Sequence, residues 1–218
     1  MEAVGTVGTY PVGLNFTTRN KTELTAAHYF YVSQRKDIPL QGKVERANVE
    51  WTGSDGSTFH LHFLGNGSNG SAPLTFYNSI GLEGTWTQGA RTLPVKLSFE
   101  HSTANPGERL YADVTSLPDA DFEAMVSTIQ QAILTHNTAA LAAHTHFPLR
   151  VNGAQRPLIL RTAADLDANW SRVFTPNFLA KLKRDIPHEM FTRNGQAMLG
   201  DGELWFDGKG LVSVNLVR

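Results

Sequence analysis

The placement of turn-forming residues constrains the fold of this chain more than any other feature of its sequence. Residues 1–105 hold 12 of the 19 glycines, which gather with serine, asparagine and aspartate between short hydrophobic segments. The clusters at 53–56 and 65–71 supply the backbone conformations that tight turns require. Short strands between regularly spaced turns are typical of antiparallel folds, so we expect a β sandwich or small barrel over residues 1–105.

The clearest strand in this half lies at 58–64, where three large hydrophobic residues alternate with His60 and His62. Alternation with a period of two indicates a strand that is buried on one face. The segment 44–51 alternates in a similar way and is predicted to be one strand. Further strands are expected at 29–32, 81–86 and 95–99.

The second half of the chain follows a helical period. After a small, polar join at 102–107, apolar residues at i, i+3, i+4 and i+7 predict a helix from 119 or 121 to about 136. Three more helices are predicted from their caps: 138–144 after Asn137, about 163–173 after a capping box of Thr162 and Asp165, and 176 to 182–184 after Thr175. Strands are expected at 147–152, 158–160, 191, 197–199, 204–206 and 211–217. Helices followed by strands, without a βαβ repeat, indicate an α+β domain over residues 106–218.

Composition excludes several classes of protein. The 218 residues are 41% hydrophobic and 18% charged, which is enough apolar material for a packed core. A net charge of -1 gives no electrostatic reason to expect a nucleic-acid partner, and no stretch approaches the roughly 18 apolar residues of a membrane span. The absence of cysteine excludes disulfides and thiolate metal sites. No common nucleotide-binding, hydrolase or metalloprotease motif occurs, so we expect no cofactor.

Three blocks of the second half carry a resemblance to a known superfamily. The blocks are FPLRVN at 147–152, the spaced residues Asp165, Trp170 and 173–175, and MLGDGELWF at 198–206. Together they resemble the NTF2-like superfamily, a cystatin-like α+β cone, and more narrowly the uncharacterised bacterial envelope proteins of that fold. The first half is similar to a β-rich module of bacterial exported proteins. That similarity lies at 29–31, 38–40, Gly42 and 84–86.

The resemblance implies one curved antiparallel sheet wrapped around helices, with a cavity at the open end of the cone. It also implies a periplasmic or secreted protein whose signal peptide is not part of this chain, because residues 1–5 have neither a basic nor an apolar region. Met1 is then an added initiator, and a cytoplasmic protein is the alternative. The superfamily includes isomerases, dehydratases and hydrolases as well as non-catalytic binding domains, so the fold alone does not decide the function.

Five residues are candidates for acid–base chemistry if the protein is an enzyme. His144 and His146 lie where a helix runs into the first strand of the cone, and His188 precedes a later strand. Asp201 and Glu203 share one strand face, so both can point into the cavity. An enzyme would therefore pair one of these carboxylates with one of the three histidines. The alternative is structural, with histidines at a helix end and carboxylates in a hairpin.

A second pair of histidines raises the question of a metal. His60 and His62 project from the same face of one strand, about 7 Å apart, and two imidazoles can share a metal ion. The sequence supplies no third ligand at a spacing typical of metal sites. We therefore expect no metal, and a polar, solvent-facing side of the strand instead.

Aromatic residues are candidates for binding a partner. They are dense in the β half, and large aromatic side chains often anchor protein–protein interfaces. The same residues are also ordinary strand formers and core residues. The binding candidates are Tyr29, Tyr31, Trp51, Trp86 and Trp205.

Three hypotheses for the function follow. The favoured one is a non-catalytic binding protein of the bacterial envelope that engages another protein or a small ligand in the cone pocket. One form of it is an inhibitor or immunity-type protein. The second is a cone-pocket isomerase or hydrolase that uses a His/carboxylate pair, and the third is a structural or dimerisation module that forms a homodimer.

Overall fold

The computed structural model describes residues 1–19, 23–45, 47–67, 72–100, 109–153 and 156–216. The chain divides into two compact units, Met1–Gly107 and Glu108–Arg218. Together they give a two-part α+β fold. Within the described ranges, no helix combines the length and the apolar character needed to cross a lipid bilayer.

The first unit is a closed barrel of eight antiparallel strands, in which each strand pairs with the next and β1 closes the barrel against β8. Of the two predicted architectures, the structure has the barrel. A closed barrel leaves no sheet edge unpaired. The strands are β1 (Glu2–Val7), β2 (Tyr10–Arg19), β3 (Glu23–Tyr31), β4 (Ile38–Glu45), β5 (Asn48–Gly53), β6 (Thr58–Leu64), β7 (Gly81–Gln88) and β8 (Arg91–Glu100).

Aromatic side chains dominate the core of the barrel. Phe76, from the connection between β6 and β7, is buried and packs against Phe16 and Phe63, each with ring centroids 4.9 Å away. It also stacks parallel to Trp51, at a centroid distance of 6.4 Å. The predicted alternation of β6 is confirmed, because its odd-numbered residues from 59 to 63 are buried and the two histidines between them are exposed.

The predicted strand at 44–51 is wrong, because a tight hairpin interrupts it. Val44, at the end of β4, pairs with Val49 of β5, and Glu45 pairs with Asn48. The sequence pattern hides this turn because polar and apolar residues keep alternating on both sides of it. Arg46, within the turn, lies outside the described residues.

Strands β1 and β2 are absent from the sequence prediction. Gly5 interrupts the apolar pattern of β1, and the structure requires glycine there. A Cβ atom at Gly5 would collide with the carbonyl oxygen of Lys96 on the neighbouring strand. Such close approaches allow strands to bend around a small barrel. Gly5 therefore weakens the apolar alternation from which a strand is predicted, but its lack of a side chain helps to close the barrel.

In its described residues, the second unit has five helices and one six-stranded sheet with the order β10-β9-β14-β13-β12-β11. Strands β9 and β14 are parallel and the other neighbours are antiparallel, so the expected wholly antiparallel sheet is corrected to a mixed one. The helices are α1 (Asp119–Leu134), α2 (Thr138–Ala143), α3 (Ala163–Ala168), α4 (Trp170–Val173) and α5 (Pro176–Leu182). The strands are β9 (Thr145–Asn152), β10 (Leu158–Leu160), β11 (Phe191–Arg193), β12 (Gln196–Leu199), β13 (Leu204–Asp207) and β14 (Gly210–Asn215).

Most predicted helix starts are confirmed by their caps. The side chain of Asn137 caps α2, Thr175 caps α5, and Thr162 forms the predicted capping box with Asp165 at the start of α3. The helix expected to run on to about 173 is divided at Asn169 into α3 and α4. These local signals were readable because each cap satisfies backbone groups only a few residues away.

Helix α1 buries one face in the core of the second unit. Phe122, Val126, Ile129 and Ile133 are buried, as their helical spacing predicts. The same buried face carries two polar residues, Glu123 and Gln130. Buried polar side chains need hydrogen-bond partners, so we expect partners for both residues in the segments that pack against α1.

Candidate functional site

A buried hydrogen-bond network joins Glu123 of α1 to the connection that precedes β11. Glu123 Oε2 lies 2.6 Å from Nδ1 of His188. Its other oxygen, Oε1, accepts hydrogen bonds from the Tyr111 hydroxyl at 2.8 Å and from the Glu189 amide at 2.9 Å. The Tyr111 hydroxyl accepts a bond from the Met190 amide at 2.9 Å. The Glu123 carboxylate therefore joins the His188 imidazole, the Tyr111 hydroxyl and the Glu189 amide.

This network resembles the orienting part of an acid–base site. The side chains of His188 and Glu123 are only 8% and 10% exposed. A carboxylate at Nδ1 fixes the orientation of an imidazole and favours the tautomer that carries a proton on that nitrogen. Burial and the neighbouring Glu123 raise the pKa of Tyr111, so its hydroxyl acts as a donor. Glu189 has a positive φ of 52°, a strained conformation that brings its amide to Glu123.

Glu123 and Tyr111 are absent from the sequence prediction. Asp201 and Glu203 are the predicted carboxylate partners of the histidines, but the carboxylate beside His188 is Glu123, 65 residues earlier in the chain. The signal that was available is the position of Glu123 within the buried stripe of α1. A charged residue on the core face of a helix calls for a buried partner.

The other two candidate histidines lie at the start of β9. His146 Nδ1 is 3.0 Å from Asp207 Oδ2, and the two side chains are 49% and 26% exposed. Asp207 Oδ1 also accepts the amides of Lys209 and Gly210, so this carboxylate organises the β13–β14 turn. The side chain of His144 is partly buried, and its carbonyl accepts the Leu211 amide at 2.8 Å. These contacts are typical of a structural role.

Asp201 and Glu203 lie in the connection between β12 and β13, beside Asp185 and Lys181. Glu203 is 1% exposed, and its Oε1 lies 3.4 Å from the Lys181 ammonium. Burial, Glu203 and Asp201 raise the pKa of Asp185 to about 6. The structure thus places the predicted carboxylates with each other and with a lysine, in a cluster separate from the Glu123–His188 network.

A pocket of about 250 Å³ lies beside the end of the sheet. It is lined by apolar side chains and by two exposed arginines, Arg156 and Arg172. Neither guanidinium is hydrogen-bonded or ion-paired to any residue in the described part of the chain. The apolar lining residues are Val151, Leu158, Val173 and Leu216. Guanidinium groups and apolar side chains that line one pocket are suited to a ligand that joins an anionic group to an apolar body.

Comparison with known proteins gives no relative for this chain. No family model, no curated protein and no solved structure matches it. A function for the protein is therefore argued from the geometry of the described residues.

The aromatic binding candidates lie mainly in the core of the barrel. Tyr29, Trp51 and Trp86 are 1%, 0% and 3% exposed. A partner at the outer surface cannot reach side chains at this depth. Tyr31 and Trp205 are partly buried, and the Trp205 indole donates a hydrogen bond to the Gly202 carbonyl at 3.2 Å.

Tyr29 has a polar contact at its tip. Its hydroxyl donates to Asp55 Oδ2 at 2.7 Å and lies 3.2 Å from the Ser57 hydroxyl. Burial raises the pKa of Tyr29. Asp55 and Ser57 belong to the β5–β6 turn, so the tyrosine ties the barrel core to that turn. The contact is that of a core residue with a satisfied hydroxyl.

The histidine pair of β6 faces solvent, and each imidazole has a glutamate neighbour. His62 Nε2 lies 3.1 Å from Glu83 on β7, and His60 Nδ1 lies 3.7 Å from Glu50 on β5. The four side chains are between 43% and 55% exposed. The pairing is that of a solvated polar surface, where isolated ion pairs contribute little to stability.

Proposed function

We propose that this protein is a non-catalytic binding protein, and that its second unit takes a ligand with one anionic group and a short apolar body. The observation that carries the proposal is the pocket of about 250 Å³ that Arg156 and Arg172 line together with apolar side chains. Guanidinium groups bind carboxylates and phosphates through paired hydrogen bonds. Covering the apolar lining side chains removes their surface from water, which stabilises the complex with a ligand that has an apolar body.

The arrangement of sheet and helices in the second unit supports this proposal, because it is compatible with the superfamily that the sequence resembles. An NTF2-like cone has one sheet against helices and a cavity at its open end, and the second unit has a single six-stranded sheet with α1 beside it. The proposed pocket is lined from both sheet and helix residues. The location in the bacterial envelope is proposed on the resemblance alone.

The proposal is tested by titrating the full-length protein with a matched pair of small ligands, hexanoate and hexanol. We expect hexanoate to bind and hexanol to bind at least about tenfold more weakly, since a hydrogen bond to a charged group contributes about 1.5–3 kcal/mol. Calorimetry gives the affinity, and amide chemical shifts give the location. Shifts confined to the neighbourhood of Gly153 and Leu216 support the pocket.

Substitutions separate a specific site from general attraction of anions. Arg172→Gln and Arg156→Gln are each expected to weaken hexanoate binding about tenfold or more and to leave hexanol unaffected. Arg161→Gln is the matched control, because Arg161 is exposed and lies outside the pocket lining. Equal losses in all three variants would contradict the proposal, as would equal affinity for hexanoate and hexanol.

One observation favours a second candidate function, an acid–base enzyme. The buried Glu123–His188 pair, at 2.6 Å, has the geometry of an oriented general base. However, neither residue lines the pocket with the two arginines. If the enzyme alternative holds, substrate analogues should shift the imidazole resonances of His188. If the binding proposal holds, ligand saturates the pocket while those resonances stay unchanged.

The dimerisation alternative has less support from the sheet of the second unit. Its two outer strands, β10 and β11, have three residues each. Short edge strands offer few backbone groups for pairing with another chain. Sedimentation of the full-length protein over a range of concentrations tests this alternative, which requires a dimer.

A further inference from the structure

One buried oxygen from each of two carboxylates lies beside Gly200. Asp185 Oδ2 and Glu203 Oε2 are both shielded from solvent, and neither has a hydrogen-bond partner among the residues that the structure describes. A Cβ atom on Gly200 would stand 2.5 Å from the first oxygen and 2.7 Å from the second. Both oxygens therefore point at the same side of this glycine. Burying a carboxylate oxygen without a hydrogen bond destabilises the folded state. Two such oxygens beside the same glycine suggest that one bound group satisfies both.

The charges around the pair do not neutralise it. Lys181 of α5 lies 3.4 Å from Glu203 Oε1, and Arg184, just after α5, is a second cation near Asp185. Asp201 in the β12–β13 connection is a third acid. The uncharged side-chain amide of Gln130 on α1 donates a hydrogen bond to the backbone carbonyl of Asp185 at 2.8 Å. Lys181 contacts the other oxygen of Glu203, and within the described residues no cation is hydrogen-bonded to either of the two facing oxygens.

A single proton resolves this arrangement. A neutral carboxyl can donate a hydrogen bond to an ionised neighbour, whereas two ionised carboxylates at close range repel one another. Asp185 is the member that favours the proton, since burial, Glu203 and Asp201 together raise its pKa to about 6. The other oxygen of Glu203, Oε1, lies 3.4 Å from the Lys181 ammonium.

We propose that Asp185 and Glu203 share one proton, and that loss of this proton loosens the segment 182–190. In the protonated state, the hydroxyl of Asp185 Oδ2 donates to Glu203 Oε2. As the pH rises, the proton passes to water and leaves two facing carboxylates in a partly buried site. The segment that carries Asp185 also carries His188, so the change in charge acts on the Glu123 network as well.

The direction of the pH effect follows from linkage. The ordinary pKa of an aspartate is 3.8, and the folded protein raises it to about 6 for Asp185. Between these values the folded state binds more protons than the unfolded state, so stability falls as the pH rises through this window. The contribution of the pair is most favourable below the lower value and is lost above the upper one.

Two measurements on the full-length protein test the proposal. The first is the titration of the Asp185 side-chain carbon by nuclear magnetic resonance, which we expect to give a midpoint near 6 and a lower midpoint in Glu203→Gln. The second is the hydrogen-exchange protection of residues 182–190, corrected for the intrinsic rate. We expect protection to fall by up to about 100-fold between about pH 4 and pH 7.

Variants distinguish the shared proton from other causes. Asp185→Asn keeps the shape and supplies a permanent donor to Glu203, so it should abolish the pH dependence of protection. Asp113→Asn, at an exposed position, should behave as the unmodified protein does. An Asp185 midpoint near 3.8, or the same pH dependence in Asp185→Asn, overturns the proposal.

A bound cation is the rival explanation of the pair. Calcium or magnesium chloride, added at neutral pH, should leave the protection of 182–190 unchanged if the pair holds a proton. If either metal restores protection in the unmodified protein and not in Asp185→Asn, the pair is a cation site and the shared proton is excluded.

Discussion

His188 Nδ1 lies 2.6 Å from Glu123 Oε2, and this contact ties the connection before β11 to the buried face of α1. Three groups depend on the same carboxylate, because Glu123 Oε1 also accepts the Tyr111 hydroxyl and the Glu189 amide. Removing a buried carboxylate leaves its donors unsatisfied. A single substitution at Glu123 therefore affects three groups of the second unit at once.

Replacing Glu123 by alanine should destabilise the connection before β11. We expect a loss of about 2–4 kcal/mol, since one buried charge and the bonds of three donors disappear together. Hydrogen exchange of the Glu189 and Met190 amides reports this directly, because both amides donate into the network. Gln131→Ala, exposed on the same helix, is the control and should leave both amides protected. Unchanged protection in Glu123→Ala would show that the network does not hold this segment.

The Tyr29–Asp55 contact predicts how the barrel responds to acid. Burial by itself would raise the pKa of Asp55, but hydrogen bonds from Ser57 and Tyr29 outweigh burial and lower it below 3.8. A lowered pKa stabilises the folded state above the unfolded value, and that stabilisation is lost as the pH falls through the folded value. The barrel should therefore lose stability below about pH 4.

Tyr29→Phe tests this assignment. The variant removes one donor, so the pKa of Asp55 should rise toward its ordinary value, as followed by nuclear magnetic resonance of the side-chain carbon. Asp55→Asn should remove the same part of the acid sensitivity, measured by hydrogen exchange of the barrel strands. An Asp55 pKa that is unaffected in Tyr29→Phe contradicts a role for the tyrosine hydroxyl.

Phe76 should be essential for the packing of the barrel. Its ring contacts four other aromatic rings, and it is 1% exposed. Phe76→Ala is expected to cost about 3–5 kcal/mol, because it removes buried apolar surface and leaves a cavity. The adjacent Tyr77 is 63% exposed, so Tyr77→Ala is the matched control and should cost much less. Hydrogen exchange of β2 and β5 gives the comparison within the barrel, and similar effects of the two variants would contradict the packing argument.

The local elements of the second unit were predictable from the sequence, whereas the contacts that define the site were not. Caps such as Asn137 and Thr175 act within a few residues, so their side chains could be read directly. The partner of His188 lies 65 residues away, and the parallel pairing of β9 with β14 joins segments equally remote. Such pairings depend on how elements pack, and periodicity carries no information about them.

The fold of the barrel was also only partly predictable from the sequence, but for a different reason. Its alternation was clear at β6, where one face is buried and the other is solvated. The hairpin between Glu45 and Asn48 was missed because its turn lacks the usual glycine signal. The sequence also did not show which of the aromatic binding candidates are buried. Their residue type fits a binding surface and a core equally well, and only closure of the barrel places Trp51 inside.

Gly200→Ala should be more damaging than an alanine at another glycine of similar backbone conformation. Gly200 has a φ of 67° and Gly195 a φ of 73°, so alanine at either position bears the strain of the left-handed region, about 1–2 kcal/mol. At Gly195 the new Cβ would meet only the Asp113 carbonyl, at an ordinary 3.5 Å. At Gly200 it would collide with the carboxylates of both Asp185 and Glu203.

The difference between the two variants therefore measures how closely the carboxylates hold Gly200. We expect Gly200→Ala to exceed Gly195→Ala by about 1–3 kcal/mol, as for other overpacked sites, when protection of β12 and β13 is compared. Adding Asp185→Ala to Gly200→Ala should recover part of that excess, because it removes one of the two clashing groups. Since adjacent substitutions couple, the double variant is informative only against both single variants. Equal losses at Gly195 and Gly200 would mean that the carboxylates move aside without cost, and they would then not form the close pair that the structure places there.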